Sequence, residues 1–337
     1  MNTRTQIVVG VDGRPQTAQV VAWATREATL RRASIVLVHA VGSEVAAHLG
    51  GAAGHAGEDI GSVIHRASAD GQRLVDRARA EIRALAPEVE IVESLSLSTA
   101  TTAVHNLVTG HVTGNVVAGG SIVVVGPRSG RESRSTLDGL EEQVGALGCQ
   151  LVEVTSAPPA GSVLAISDGT VWAMPVLDAA FELAALRGLP LTVVHVPEED
   201  ADPGLRRFLR TVLSDQVDEL HECYSTAEVE VVTDPADARS VLAAAPSTAA
   251  YVVADAEHLA DLPQTPVRIL VPTEPRPVAA PVDAPVEQPV REVAPSSATG
   301  DLSRLESWWD LPAREPTLRP ALVRVRRRHQ RRFGSEA

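Results

Sequence analysis

Apolar residues recur along the chain in two alternating rhythms. Short continuous runs at Ile7–Val11, Ile35–Val38, Ile122–Val125 and Leu151–Val154 are too brief for ordinary helices, and Gly, Asp or polar residues bound them. Such runs predict β-strands buried on both faces. Between them, apolar side chains three and four positions apart predict helices. One carries Val21, Ala24 and Ala28, the next Leu74, Val75, Ala78, Ile82 and Leu85, the next Ala103, Val104, Leu107 and Val108, and the last lies near Gly139–Ala146. Alternation around Val89 and Ile91 adds a strand, and a Gly/Ala-rich loop fills Gly42–Gly61.

The same series then returns at an offset of 156 residues. Val9-Gly10-Val11-Asp12-Gly13 is matched by Ala165-Ile166-Ser167-Asp168-Gly169, and both Asp12 to His39 and Asp168 to His195 span 27 residues. The second copy continues with a helix at Val176, Leu177, Ala180, Leu183 and Ala184 and a strand at Leu191–Val194. A helix at Leu205, Phe208, Leu209, Val212 and Leu213 follows, then strand residues Val229 and Val231 and helix residues Val241 and Leu242. Strands Tyr251–Val253 and Arg268–Val271 close the copy. Alternating strands and helices imply parallel sheets covered by helices on both sides. The predicted class is therefore α/β, with two tandem Rossmann-like domains at residues 1–155 and 156–273, joined by Thr155–Gly161 with its Pro158-Pro159 pair. A Pro-rich linker, 274–300, leads to an Arg-rich tail, 301–337.

Composition narrows the class. Hydrophobic content of 44% with 22% charged residues excludes disorder of the whole chain. No apolar run approaches the roughly 20 residues that span a bilayer, and the N-terminus lacks a signal-peptide pattern. With two cysteines, Cys149 and Cys223, a cytoplasmic location is expected. The net charge of −13 conceals an asymmetry, because residues 301–337 carry nine Arg against five acids, +4, and leave −17 on residues 1–300. Every basic residue is Arg, which reads as coding bias.

In an open parallel sheet, ligands bind beyond the carboxyl ends of the strands at the topological switch point. That rule selects Asp12, His39 and Gly126. Asp12 either accepts hydrogen bonds from a ribose or amide, or only shapes an Asp-Gly turn and caps the next helix. Gly126-Pro127-Arg128-Ser129-Gly130-Arg131 either offers N–H groups and cations to phosphate or is a solvated connector. Neither a Walker loop nor Gly-x-Gly-x-x-Gly follows a strand. His48, His55 and His65 are spaced too widely for a compact metal site. With no recognisable carboxylate pair, nucleophile elbow or Cys/His arrangement, the expectation is a protein that is not an enzyme.

Val9-Gly10-Val11-Asp12-Gly13, Ala22-Trp23-Ala24, Val36-Leu37-Val38-His39-Ala40 and Val123-Val124-Val125-Gly126, taken in order, resemble the universal stress protein family. The likeness spans residues 6–154 and, more faintly, 162–273, so the chain looks like a tandem member with HUP-type domains. The resemblance implies a stress-response or regulatory role and ATP as ligand. It assigns Val11, Asp12, Gly13 and Val38 to the ribose and adenine, and Gly126, Gly130 and Gly139 to the phosphates. ATP-binding members carry Gly, two residues, Gly, nine residues, then Gly with Ser or Thr. Here Gly126 and Gly139 match, Ser129 replaces the middle glycine beside Gly130, and Leu140 replaces the hydroxyl residue. The phosphate loop is degenerate, with Arg128, Arg131 and Arg134 as electrostatic substitutes. In the second copy, Asp255 and Glu257 follow Val253 and should repel phosphate, so weak adenine-nucleotide binding is expected in the first domain only.

Two further expectations concern partners. The family pairs domains through the last strand, so Leu151–Val154 and Arg268–Val271 should pair within one chain. In the tail, Arg324, Arg327, Arg328 and Arg331 fall on one helical face, with Leu322, Val325, His329 and Phe333 on the other and Trp308-Trp309 upstream. Such a helix suits an anionic surface, whether membrane lipid, RNA, an acidic protein or the chain's own acidic body. The alternative function is thus a scaffold that binds no nucleotide and presents this tail.

Overall fold

Among the described residues, ten strands form one sheet. The structure, a computed structural model, describes residues 5–42, 45, 59–108, 121–127, 139–141, 143–197, 201–260, 262 and 264–273. The chain divides into two units, Met1–Pro277 and Val278–Ala337. All described residues lie in the first, so the linker 274–300 and the tail 301–337 fall outside them.

In the first half, β1 (Gln6–Gly10), α1 (Thr17–Arg31), β2 (Ser34–Ala40), α2 (Ile60–Leu85), β3 (Ile91–Ser96), α3 (Ala100–Val108), β4 (Ile122–Val125) and β5 (Gln150–Val154) follow one another. Residues 139–141 and 143–146 are helical. The second half repeats the series as β6 (Ser162–Ser167), a 3-10 turn at Val171–Ala173, α4 (Met174–Arg187), β7 (Leu191–His195), α5 (Pro203–Cys223), β8 (Val229–Val232), α6 (Pro235–Thr248), β9 (Ala249–Ala254), α7 (Ala256–Ala260) and β10 (Val267–Leu270). The strands lie in the order β3-β2-β1-β4-β5-β10-β9-β6-β7-β8, and within each half every strand pair is parallel.

The halves meet where β5 and β10 pair antiparallel, with Val154 opposite Val267 and Leu151 opposite Leu270. This is the strand pairing expected from the sequence. Thr155 extends the ladder, its N–H and hydroxyl both donating to the Pro266 carbonyl. At the centre of the seam, Arg268 lies directly opposite Glu153, Nη1 to Oε2 3.3 Å. Burial pushes the Glu153 carboxyl up, against the pull of Arg268.

Side chains alternate across the sheet because successive residues of a strand point to opposite faces. Ile7, Val9, Ile35, Leu37 and Val124 enter one core that runs under both halves and takes in residues of α1, α2, α4 and α5. On the other face, Val8, Val36, Val123 and Leu151 meet α3 in a core made by the first half together with Leu270 of β10. Leu164, Val194 and Val252 meet α6 in a separate core of the second half.

Three helix positions differ from the sequence expectation. Leu85, Leu205 and Phe208 fit the apolar stripe but are exposed, Leu85 at 61% and Phe208 at 63%. Leu85 is the last residue of α2, and Leu205 and Phe208 sit in the opening turns of α5. The contacts that bury α5 begin at Leu209 and continue through Leu213, Val217 and Leu220.

A second buried feature crosses the seam on the shared face. Glu27 of α1 is 1% exposed and accepts from Arg31, Nε to Oε1 2.6 Å, and from Arg187 of α4. Arg31 also reaches Glu182, Nη1 to Oε2 2.8 Å. The Arg187 guanidinium lies 4.8 Å from the Tyr251 ring centroid and 5.8 Å from that of Trp23, within cation–π range.

Candidate functional site

In the first half, the chain leaves β1 toward β2 on one side and returns to β4 on the other, so the switch point lies between β1 and β4. Asp12 and Gly126 emerge there at the carboxyl ends of the two strands. Asp12 is exposed, and its Oδ1 accepts from the Arg14 N–H at 3.1 Å and the Thr17 hydroxyl at 2.9 Å. Arg14 Nε lies 3.3 Å from Asp12 Oδ2, and Nη1 donates to the Pro127 carbonyl at 3.3 Å. One arginine therefore ties the loop after β1 to the loop after β4.

The remaining assigned residues separate into those the fold explains and those it does not. Val11 and Val38 are buried, and the Val11 N–H donates to the Val38 carbonyl at 2.9 Å. The Val11 carbonyl lies 2.6 Å from His39 Nδ1, so His39 is packed into the base of the loop. Gly13 has φ +74°, and a Cβ there would meet Leu74 at 3.0 Å, so backbone and packing together require glycine. Gly126 and Gly139 are different. A Cβ at Gly126 would make only ordinary contacts, the nearest at 3.5 Å to Val20, and one at Gly139 would meet nothing within 4 Å. Among the described residues, neither glycine is demanded by packing. Gly130, Arg128, Ser129, Arg131 and Arg134 lie outside the described residues, as do His48 and His55; His65 is exposed on α2.

The corresponding place in the second half is closed. Val9 pairs with Val124 and Ala165 with Val253, so Gly126 corresponds in register to Asp255. Asp255 is buried and caps α7, accepting from the His258 N–H at 2.9 Å and lying 2.7 Å from His258 Nδ1. That hydrogen bond holds the imidazole above its ordinary pKa, against the opposing effect of its burial. Asp168, the counterpart of Asp12, is buried and accepts from the Thr170 N–H and hydroxyl, both at 2.9 Å. These bonds shape the Asp168-Gly169 turn, with Gly169 at φ +79°. His195 Nε2 lies 3.1 Å from the Asp168 carbonyl, and burial lowers the His195 pKa. Glu257 is exposed. A phosphate chain entering here would meet a buried carboxylate in place of a glycine. Among the described residues no group of three or more His, Cys, Asp or Glu could hold a metal ion.

Sequence reasoning missed Arg14 and the Asp255–His258 pair as site features. Arg14 carries a signal in hindsight, because it replaces Thr170 at the same place in the repeat.

No family model matches the chain, and no curated protein matches it. Solved structures to which it is similar include two universal stress proteins from Archaeoglobus fulgidus, the family that the sequence resembles. One, from strain DSM 4304, is 14% identical with a TM-score of 0.46 over 68% of this chain and 76% of that chain. The other is 20% identical with a TM-score of 0.28 over 40% of this chain and 85% of that one. A functionally unknown protein from Pseudomonas aeruginosa PAO1 is 14% identical, TM-score 0.48, over 80% and 92% of the two chains. The cytoplasmic domain of a prokaryotic cation chloride cotransporter is 11% identical, TM-score 0.46, over 79% and 95%. The α/β architecture itself rests on the strand order and register described above. No helix among the described residues is long and apolar enough to cross a membrane.

Proposed function

We propose that the chain is a tandem universal stress protein whose first half binds ATP or a related adenine nucleotide weakly and whose second half binds none, and that it serves a regulatory or stress-response role without catalysis. The observation that carries this reading is the contrast between equivalent positions. Asp12 is exposed and Gly126 half-buried at the switch point of the first half, whereas Asp168 and Asp255 are buried and engaged in the second. An exposed carboxylate suits the paired hydroxyls of a ribose, and glycines suit backbone contact with phosphates. The acidic body gives phosphate no general attraction, which accords with weak binding.

Titration of the full chain with ATP by calorimetry tests the proposal, with Asp12→Ala as the companion variant. One site per chain, abolished by the substitution, is expected. Two sites would refute the division between the halves. No binding would refute the nucleotide reading and favour a scaffold that presents its basic tail.

A further inference from the structure

We propose that Arg14 is the specificity-determining residue of the first-half site, the cation that makes it prefer a phosphorylated adenosine to adenosine itself; the inference rests on the nucleotide reading above. The repeat supplies an internal control. Arg14 and Thr170 occupy the same position, and the same turn forms in both halves, with the N–H of residue 14 or 170 donating to the preceding aspartate at 3.1 and 2.9 Å. In the second half the Thr170 hydroxyl completes that turn, and no cation is required. In the first half Thr17 supplies the hydroxyl, so the carboxylate already has the hydrogen bonds that the turn needs. Turn formation therefore does not explain the guanidinium.

Its location gives it another use. Arg14 spans the crevice between the two loops a nucleotide would contact, with Nε by Asp12 and Nη1 on the Pro127 carbonyl. Its side chain is 43% exposed, as accessible as the 44% of Asp12, so water can replace either contact at little cost. A guanidinium has five N–H donors in a planar fork that fits phosphate oxygens in pairs. The pairing with Asp12 also has a consequence for the order of preference. Ribose hydroxyls that approach Asp12 compete with Arg14 for the carboxylate, which penalises a bare nucleoside. A phosphate chain gives the displaced guanidinium a new anion and removes that penalty.

The test compares ATP, ADP and adenosine by calorimetry on the full chain, in wild type, Arg14→Thr and Arg14→Gln. Arg14→Thr installs the side chain already accepted at the equivalent turn, and an unchanged melting temperature verifies its fold; Arg14→Gln provides a second uncharged variant should the first be unstable. The expected result is a loss of about tenfold or more in ATP affinity, the size of one charge-assisted hydrogen bond. Adenosine affinity should stay within about threefold or improve, so the ATP-to-adenosine ratio collapses. A second signature is a wild-type ATP affinity that falls with salt more steeply than in either variant. Equal factors for ATP and adenosine would overturn the role of Arg14 while leaving the nucleotide site standing, as would a wild type that binds adenosine as tightly as ATP. A wild type that binds none of the three overturns both proposals.

Discussion

Glu27 is the side chain whose removal should cost the fold most for its size. It is 1% exposed, and the Arg31 and Arg187 side chains that it joins are each 12% exposed. Glu27→Ala strips a carboxylate from two guanidinium groups that cannot deprotonate at any ordinary pH. Arg31 keeps Glu182 at 2.8 Å, but Arg187 is left against the Trp23 and Tyr251 rings alone. Removing one partner of a buried ion pair takes its hydrogen bonds and leaves an uncompensated charge, which together cost about 3–5 kcal/mol. Urea unfolding of the full chain, followed by far-UV circular dichroism, measures it. Two comparisons isolate the cause. Arg73→Ala removes the exposed Arg73–Asp70 pair and should cost less than about 1 kcal/mol. Glu27→Met with Arg187→Met removes the Glu27–Arg187 pair, leaves Arg31 with Glu182, and should recover much of the loss, because methionine fills the volume without needing a partner. A Glu27→Ala midpoint as close to wild type as that of Arg73→Ala, or a double variant no better than the single one, would refute the account of a buried ion cluster centred on Glu27.

Three other outcomes follow from the structure. His258 has a raised pKa in the native chain, so its hydrogen bond to Asp255 stabilises fully below about pH 6.5 and that contribution is lost as pH rises through the higher native value. The stability difference between wild type and His258→Gln should accordingly be larger at pH 6 than at pH 8.5. Comparing the two at each pH removes the opposite effect of His195, whose lowered pKa costs stability as pH falls, and a constant difference would contradict the assignment. Cys149 is buried and its pKa raised by burial, whereas Cys223 is exposed; a thiol reagent should label one cysteine quickly in the native chain and the second only after unfolding. Gly71 leaves no room for a Cβ, which would lie 2.4 Å from the His39 ring, so Gly71→Ala should cost about 1–3 kcal/mol. Gly139→Ala, in open space, should leave the urea midpoint nearly unchanged.

The layers of this fold were legible because its inner strands are buried on both faces. Ile122–Val125 appears as a strand with the same bounds in sequence and structure, since four consecutive β-branched residues between Gly and Ser leave few alternatives. The seam was legible through the family resemblance, and its physical reason is that two short apolar strands at the ends of their copies need a neighbour and here supply one another. Leu205 and Phe208 misled because periodicity identifies the face of a helix but not how far along its length that face is covered. Glu27, Arg31 and Arg187 were illegible as a group. On a single helix, a Glu and an Arg four apart read as a solvated pair, and only the approach of α1 and α4 across the seam buries them. The site divides in the same way. Asp12 was marked by its place at a strand end, but Arg14 looked like an ordinary loop cation until its contacts with Asp12 and Pro127 joined two loops more than a hundred residues apart.

The antiparallel seam also governs how the chain must be made. Glu153 and Arg268 face one another yet are 115 residues apart, so β5 leaves the ribosome long before its neighbour exists. At synthesis rates of roughly 5–20 residues per second, that wait is on the order of ten seconds. Throughout it the nascent first half presents an apolar, unpaired sheet edge, the type of surface that templates pairing with another chain. On a polysome, the edge it could meet first belongs to a sibling nascent chain at the same stage. Joining the two copies in one polypeptide thus makes the correct partner certain to arrive, but late, and leaves the interval to be covered by chaperones or by slow aggregation of the half-made protein.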